Sequence, residues 1–237
     1  MRFPSPAPEQ FKPRFAEFSF SLPRISKKSL QNQGNRYILM AMQKTIILAT
    51  SNQGKVKEFM DLLGPIGYQV ISLKEAGIAS NPIENGATYK ENSYIKAHDA
   101  SLQTELPVLA DDSGIEIEAM GNKPGIHTAR YAKEHGGFPD VFDTVFANLQ
   151  GQENRKAAFH CCLCLIPGKG VEPLFFEGVC PGEILFEAKG SKGFGYDPIF
   201  HSYEANEDFG TASEETKNKY SHRGKASQKL KEYLLTK

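Results

Sequence analysis

In the stretch PVLADDSGIEIEAM, residues 107–120, two adjacent carboxylates directly follow the apolar run PVLA. PVLA and IEIEAM each have the composition of a β-strand, so we predict two strands that flank Asp111-Asp112-Ser113-Gly114. Successive side chains of a strand point to opposite faces, so at most one of the two acids is easily solvated unless a turn begins there. The stretch therefore indicates either an Asp-Ser-Gly turn, in which Asp112 accepts local hydrogen bonds, or a functional site that offsets the two charges.

Strand-like and helix-like segments alternate on the N-terminal side of this stretch. TIILAT (45–50) and YQVISL (68–73) are short apolar runs, which are typical of buried strands. A helix that ends at Gly64-Pro65 is predicted between them. Its apolar residues recur on one face, namely Val56, Phe59, Met60 and Leu63. A second helix is predicted over residues 88–102.

Strand-like segments cluster on the C-terminal side. KAAFHCCLCLI (156–166) and LFFEGVC (174–180) predict a pair of long strands, and GEILFEA (182–188) predicts a third. Helices are predicted over residues 138–149 and at the C terminus, where four apolar residues share a face, namely Ala226, Leu230, Tyr233 and Leu234. This order predicts an α/β fold in which a mixed central sheet with flanking helices continues into a strand-rich extension.

The bulk composition is that of an ordinary globular chain. Its 237 residues include 28 basic and 28 acidic side chains, and hydrophobic residues make up 40% of the total. That balance does not indicate a nucleic-acid partner, and no stretch approaches the roughly 20 apolar residues of a membrane span. We therefore predict neither a nucleic-acid partner nor a membrane partner.

The cysteines do not have the spacing of a metal site. Cys161 and Cys164 form a C-x-x-C pair, but a zinc site needs a second pair of ligands and only Cys180 follows. We predict that they are small hydrophobic residues of buried strands. Free thiols fit a reducing compartment, so we predict a cytoplasmic location.

Residues 1–41 differ from the rest of the chain. They contain seven Lys and Arg residues against only Glu9 and Glu17, and they show no clear periodicity and no apolar core of a secretory signal. We favour a largely disordered N-terminal extension. An organelle transit peptide is one alternative, and a start codon assigned too early is another, because Met42 directly precedes a predicted strand. Residues 42–237 form the predicted functional domain.

TSNQGK, residues 50–55, lies between a predicted strand and a predicted helix. The free N–H groups and the positive dipole end at the start of a helix bind anions. Lys55 and Lys57 fall near the first turn, where a cation is disfavoured by roughly a few tenths of a kcal/mol, so a bound anion such as phosphate would explain them. The alternative is an ordinary Ser or Asn cap with solvated lysines. The spacing excludes a P-loop.

Further acidic and polar side chains follow this segment. Glu84 lies in a loop bracketed by Pro and Gly, and Thr88, Asn92 and Lys96 share one face of a predicted helix. That face is either solvated or lines a polar cleft. Carboxylates such as those of Glu84 and Asp112 are ligands for Mg²⁺, which characteristically bridges to phosphate oxygens.

Two C-terminal segments combine glycines, aromatic rings and charges. GSKGFGYDPIF (190–200) surrounds Phe194 and Tyr196 with glycines and adds Asp197, which suits a flat heterocyclic ligand or, alternatively, a turn with a core aromatic residue. KNKYSHRG (217–224) supplies Lys217, His222 and Arg223 just before the predicted last helix. They suit a phosphate or a base carbonyl, or form a solvated stretch.

Together these segments supply the parts of a nucleoside triphosphate hydrolase: an anion site, two acids for a metal, a stacking platform and a basic clamp. The motifs T/S-N-x-x-K, E-N-x-x-x-K-A, A-D-D-S-G, P-G-x-x-(S/T)-A-R-Y, G-F-G-Y-D-P-I-F and S-H-R-G, in this order, closely resemble the inosine/xanthosine triphosphate pyrophosphatase family. The resemblance runs from about Thr45 to Leu235. It implies Mg²⁺-dependent hydrolysis of ITP, dITP and XTP to the monophosphate and pyrophosphate. It also implies a homodimer and an elongated α/β fold with two lobes around a substrate cleft.

The resemblance also implies roles for individual residues. Asp112 would be the catalytic base that activates water, and Glu84 and Asp112 would bind the metal. The implied substrate-binding residues are Thr50, Ser51, Asn52, Gln53, Gly54, Lys55, Lys96, Ser113, Phe194, Gly195, Tyr196, Asp197, Lys217, His222 and Arg223.

Two alternatives remain at this stage. One is a Maf-like pyrophosphatase that acts on dTTP, UTP or modified nucleotides, although the S-H-R-G and F-G-Y-D motifs argue against it. The other is a nucleotide-binding module without catalysis, against which the intact Glu84, Asp112 and Lys55 argue.

Overall fold

The computed structural model describes residues 44–236, so the predictions for residues 1–41 lie outside the described part of the chain. The strands and helices follow one another as β1 (Lys44–Leu48), α1 (Gln53–Leu63), β2 (Tyr68–Ser72), α2 (Tyr89–Ser101), β3 (Val108–Ile117), β4 (Lys123–Pro124), α3 (Thr128–Glu134), α4 (Val141–Asn148), β5 (Lys156–Ile166), β6 (Leu174–Ile184), β7 (Phe200–Ser202), β8 (Glu207–Asp208), α5 (Glu214–Tyr220) and α6 (His222–Leu235). None of these helices is long and apolar enough to cross a membrane.

The strands form one mixed sheet in the order β2-β1-β3-β5-β6-β7-β8, with β4 paired to β3. β1 runs parallel to both β2 and β3, and helices α1 and α2 supply the crossovers that parallel neighbours need. From β3 onward the neighbouring strands are antiparallel, and β5 pairs with β6 along most of its length. The predicted mixed α/β fold with a central sheet and flanking helices is confirmed.

Strand β3 differs from the sequence-based prediction. Residues Val108–Ile117 form one continuous strand, and Asp111 to Gly114 pair with residues 160–163 of β5 without interruption. The prediction of two separate strands is therefore wrong, and so is the alternative of an Asp-Ser-Gly turn between them. The two charges are offset by basic side chains from the helices on either face, so the chain needs no turn to solvate them.

The prediction that GEILFEA forms a separate third strand is also wrong. Its first residues, Gly182–Ile184, are the end of β6 and pair with β7 on the other edge. A Cβ atom on Gly182 would lie 2.0 Å from the carbonyl oxygen of His201. Gly182 therefore marks a close approach of two strands rather than a turn.

The two faces of the sheet pack against different helices. On one face Val108 and Ala110 of β3 belong to a cluster with Ala97 of α2. On the other face Leu109 lies in a cluster with Phe59 of α1, and that cluster also takes in apolar residues of α6. In α1 the buried positions include Leu62, whereas Met60, which was predicted to face inward, is 41% exposed. Because alternate residues of β3 face these two layers, Asp111 and Asp112 do so as well.

The four cysteines lie in strands β5 and β6, and all of them are free and buried. Burial raises the pKa of the Cys162 thiol to about 11. A thiol with a raised pKa in a buried strand is an inert core residue. The prediction that the cysteines are small hydrophobic residues is confirmed.

Helix α6 approaches the sheet closely at one glycine. A Cβ atom on Gly178 of β6 would lie 2.0 Å from the carbonyl oxygen of His222 and 2.7 Å from the backbone nitrogen of Ala226. Backbone atoms cannot yield as the end of a flexible side chain can. Gly178 therefore fixes how closely the first turn of α6, with His222 and Arg223, sits on the sheet.

We predict that Gly178→Ala lowers the free energy of unfolding by about 2–3 kcal/mol, because the added methyl group overpacks the helix–sheet contact. Gly168→Ala is the matched control, since a Cβ atom there has only ordinary van der Waals contacts, at 3.8 Å and beyond. Urea denaturation of the two variants measures the difference. Equal stability of both variants would contradict this account of Gly178.

Candidate active site

A cleft of about 460 Å³ brings together most of the residues predicted for the site. The predicted residues that line it are Thr50, Ser51, Asn52, Lys55, Glu84, Lys96, Asp112, Ser113, Phe194, Gly195, Tyr196, Asp197, Lys217, His222 and Arg223. Gln53 and Gly54 do not line it. Gln53 is exposed at the start of α1, and Gly54 faces a separate depression behind Phe194.

The start of α1 is closed by an asparagine cap. The Oδ1 atom of Asn52 accepts hydrogen bonds from the backbone N–H groups of Gly54, at 2.9 Å, and Lys55, at 3.3 Å. The Lys55 ammonium pairs with Asp111, and the Lys57 ammonium pairs with Glu214 at the surface. Carboxylates of the chain thus offset both lysines, so the two charges are explained without a bound anion.

Asp111 is a fully buried acid held between two cations. Its Oδ1 atom pairs with Lys55, and its Oδ2 atom lies 3.0 Å from Nε of Arg223 and accepts the Cys161 thiol at 3.3 Å. Burial alone would raise the pKa of Asp111, but the charges of Arg223 and Lys55 outweigh it and hold that pKa well below its usual range. Asp111 is therefore ionised and links α1 and α6 to the strand.

Arg223 distributes its guanidinium nitrogens over three partners. Besides Asp111, it donates to Oε2 of Glu58 at 2.6 Å and to the hydroxyl of Ser113 at 2.9 Å. The other oxygen of Glu58 lies 3.7 Å from Nζ of Lys217. Glu58 is not among the residues predicted from the sequence. Its spacing of three residues from Lys55 puts both on one helical face, but a pair of charges at that spacing is more often simply solvated.

On the opposite face of β3, Asp112 forms an ion pair with Lys96. Nζ of Lys96 lies 2.8 Å from Oδ1 of Asp112 and 2.9 Å from Oε2 of Glu84. The Oδ2 atom of Asp112 is buried and has no hydrogen-bond partner among residues 44–236. Burial raises the pKa of Asp112, and Lys96 opposes that effect only in part. Burial also disfavours the charged form of Lys96, but Asp112 and Glu84 together outweigh it and raise the pKa of Lys96.

Glu84 lies in a segment between β2 and α2 that side chains of other elements hold in place. An Nη2 group of Arg130 donates to the carbonyl oxygen of Glu84 at 2.8 Å. The backbone N–H of Gly86 donates to Oδ1 of Asn92 at 2.9 Å. Of the predicted polar face of α2, Asn92 is 1% exposed and lies against this segment, Lys96 lines the cleft, and Thr88 is exposed at the start of the helix.

The glycine-rich segment around Phe194 is fastened by Asp197. Gly193 and Gly195 have φ values of +75° and +64°, which the flanking turn requires. The Oδ2 atom of Asp197 accepts the backbone N–H of Phe194 at 2.7 Å and the ammonium of Lys217 at 2.6 Å. Lys217 lies 5.3 Å from the centre of the Phe194 ring. The segment therefore presents an aromatic face to the cleft under a fixed cation.

Tyr196 and His222 are more deeply buried than ligand-facing residues usually are. Tyr196 is 2% exposed and packs edge-on against Phe138, at 5.1 Å between ring centres. His222 stacks on Phe159 at 4.7 Å. Burial and then the charge of Arg223 hold the pKa of His222 well below its usual range, so its imidazole is neutral. Its Nδ1 atom is buried and has no hydrogen-bond partner in the described part of the chain.

We predict that Lys55→Met lowers the free energy of unfolding by about 2–4 kcal/mol, because Asp111 then stays buried with one of its cations missing. Lys57→Met is the matched control on the same helix. It removes an exposed pair and leaves stability unchanged within error. Denaturant titration at neutral pH gives the comparison, and equal losses for both variants would contradict the role of Asp111.

The parent protein and Lys55→Met also test how the contribution of Asp111 to stability depends on pH. The folded-state pKa of Asp111 is depressed below its unfolded value of about 3.9, so its stabilisation is present above pH 4 and is lost as pH falls below that value. The stability difference between the parent and Lys55→Met is therefore predicted to be constant above about pH 5 and to shrink below about pH 4. A difference that grows on acidification would contradict this assignment.

Comparison with known proteins agrees with this architecture. The model of the Ham1 family matches residues 46–233. A dITP/XTP pyrophosphatase of Haemophilus influenzae is 42% identical over 196 residues, which cover 81% of this chain and 100% of the relative. One from Desulfotalea psychrophila is 41% identical over 186 residues, with 78% and 83% of the two chains covered.

Solved Ham1 structures also match this chain along most of its length. A HAM1 protein from Coxiella burnetii superposes with a TM-score of 0.72 at 35% identity, covering 82% of this chain and 100% of that one. The Ham1 protein of Staphylococcus aureus superposes with a TM-score of 0.70 at 33% identity, covering 81% and 99%. With a family model that spans most of the chain, and with relatives that match along most or all of their length, this chain belongs to the Ham1 family.

Proposed function

We propose that this chain hydrolyses the non-standard purine nucleoside triphosphates ITP, dITP and XTP to the monophosphate and pyrophosphate. Relatives about 40% identical over nearly their whole length are named dITP/XTP pyrophosphatases. The observation in the structure that carries the proposal is Asp112, which holds a buried, unpartnered carboxylate oxygen in the cleft beside Glu84. Such an oxygen costs free energy unless a ligand or a metal ion completes it.

The residues of the cleft fit a magnesium ion that arrives with the nucleotide. Among residues 44–236 no group of three or more His, Cys, Asp or Glu side chains could form a self-sufficient metal site. Asp112 and Glu84 supply two carboxylates joined through Lys96, and Mg²⁺ commonly uses one or two carboxylates together with substrate phosphates. When bound there, Mg²⁺ would neutralise phosphate charge and make the α-phosphorus more electrophilic.

Asp112 is the residue we assign to proton transfer. Its raised pKa favours accepting a proton from a water molecule, and the contact from Lys96 keeps the carboxylate oriented. Ser113, the next residue of β3, is turned to the opposite face and is fixed by Arg223. The strand therefore presents a base and a hydroxyl at adjacent positions of the cleft.

The cleft also offers the features that a purine base needs. Phe194 supplies a ring for stacking, and the neutral His222 and the cationic Arg223 lie at the start of α6. Donors aimed at a 6-oxo group would stay unpaired against the 6-amino group of adenine. A mismatch of that kind can cost several orders of magnitude in specificity.

We also propose that the protein is a homodimer and that it works in the cytoplasm. The homodimer is implied by the sequence resemblance, and the four free cysteines support a reducing compartment. Light scattering coupled to size-exclusion chromatography measures the molar mass directly. A mass equal to that of one chain would contradict the dimer.

Asp112→Asn is predicted to lower kcat for ITP by about 10²–10⁴-fold, because the amide cannot accept the proton from water. Affinity for ITP should stay within about tenfold of the parent. Asp143→Asn removes an exposed acid of α4 outside the cleft and should leave both quantities unchanged. Unimpaired turnover in Asp112→Asn would refute the assignment, and an idle parent that still binds ITP would indicate a binding module.

A further inference from the structure

Arg130 stands close to β3 because the start of α3 is anchored there. The hydroxyl of Thr128 accepts the backbone N–H of Ile115 at 2.9 Å and donates to the carbonyl of Gly125 at 2.6 Å. A Cβ atom on Gly114 would lie 2.2 Å from that carbonyl oxygen, so strand and helix start are in close contact. Arg130 follows Thr128 by two residues and lines the same cleft as Asp112.

Arg130 differs from the other cations of the cleft in its charge balance. The other basic side chains that line the cleft are Lys55, Lys96, Lys217 and Arg223, and each of them lies within ion-pair distance of a carboxylate. Arg130 has no carboxylate partner within residues 44–236, and its hydrogen bond goes to a neutral carbonyl. It is an exposed cation whose charge no carboxylate of the described residues compensates.

Arg130 lies beside the residues to which the metal and the phosphates are assigned. Its Nη2 atom is 2.8 Å from the carbonyl oxygen of Glu84, one of the two carboxylate residues assigned to the metal. A metal held by Glu84 and Asp112 would bind phosphate oxygens, and Arg130, bonded to the backbone of Glu84, would be available to the same phosphates. A bond to a single neutral carbonyl still leaves guanidinium N–H groups free for an anion.

We infer that Arg130 binds the pyrophosphate portion of the nucleoside triphosphate, an inference that rests on the proposed function. A planar guanidinium matches two phosphate oxygens at once, and such bonds are stronger than a bond to a neutral carbonyl. The free charge of Arg130 would add to that of the metal in neutralising the leaving pyrophosphate. Its bond to Glu84 keeps the guanidinium at this place before the substrate arrives.

The test is calorimetric titration of the full chain with inorganic pyrophosphate and, separately, with IMP, both at saturating Mg²⁺. Arg130→Gln is expected to weaken pyrophosphate binding by tenfold or more and to leave IMP binding within twofold. Arg130→Lys keeps the charge but cannot present two parallel donors, so it should also lose about tenfold in pyrophosphate affinity. Lys133→Gln is the matched control, since it removes an exposed charge of the same helix and should change neither titration.

Unchanged pyrophosphate affinity in Arg130→Gln would overturn the inference, and so would an equal loss in Lys133→Gln or an equal weakening of IMP. If Arg130→Gln does not fold, a tenfold loss in Arg130→Lys with IMP binding intact supports direct recognition, because Lys cannot present two parallel donors. Parental affinity in Arg130→Lys would then overturn it. These titrations measure product binding and not turnover. If the protein binds both products but does not hydrolyse ITP, the proposed function is refuted. The role of Arg130 is then still decided by the titrations.

Discussion

The ion pairs of two adjacent buried acids on β3 are the constraint on which the rest of the structure depends. Asp111 is 1% exposed and Asp112 is 7% exposed, and they face opposite sides of the sheet. Desolvation of a carboxylate costs several kcal/mol unless a cation offsets it, so each acid needs a basic side chain from the layer that it faces. Helices α1 and α6 supply Lys55 and Arg223 on one side, and α2 supplies Lys96 on the other. Three helices are thereby fixed around one strand.

These ion pairs also prepare the cleft for chemistry. Lys55, Lys96, Lys217 and Arg223 are held in place by carboxylates before any ligand binds, so little reorganisation is needed when charge develops on a substrate. Two groups stay unpaired within the described chain: Oδ2 of Asp112 has no hydrogen-bond partner, and Arg130 has no counter-charge. A metal ion would bind the first, and a triphosphate would pair with the second.

Local patterns in the sequence predicted much of this arrangement. The alternating half of the sheet, the long pair β5 and β6 and the asparagine cap of α1 follow from periodicity and capping residues. The last helix begins earlier than predicted, so His222 and Arg223 lie in its first turn rather than before it. The continuity of β3 does not follow from such patterns, because the cation that faces Asp111 from α6 lies 112 residues further along the chain. Glu58 was missed for the same reason: its partners Arg223 and Lys217 are distant in sequence, and nearby charges on a helix are usually solvated. Gln53 and Gly54 share a motif with cleft residues, but the first turn of α1 points them elsewhere.

The most direct test of the account is pyrophosphate release from ITP, dITP, XTP, GTP, ATP and dTTP in the presence of Mg²⁺, repeated with EDTA. The account predicts rapid release from ITP, dITP and XTP, little from ATP and GTP, and loss of all release when the metal is chelated. Equal activity on all six nucleotides, or a preference for dTTP, would contradict it.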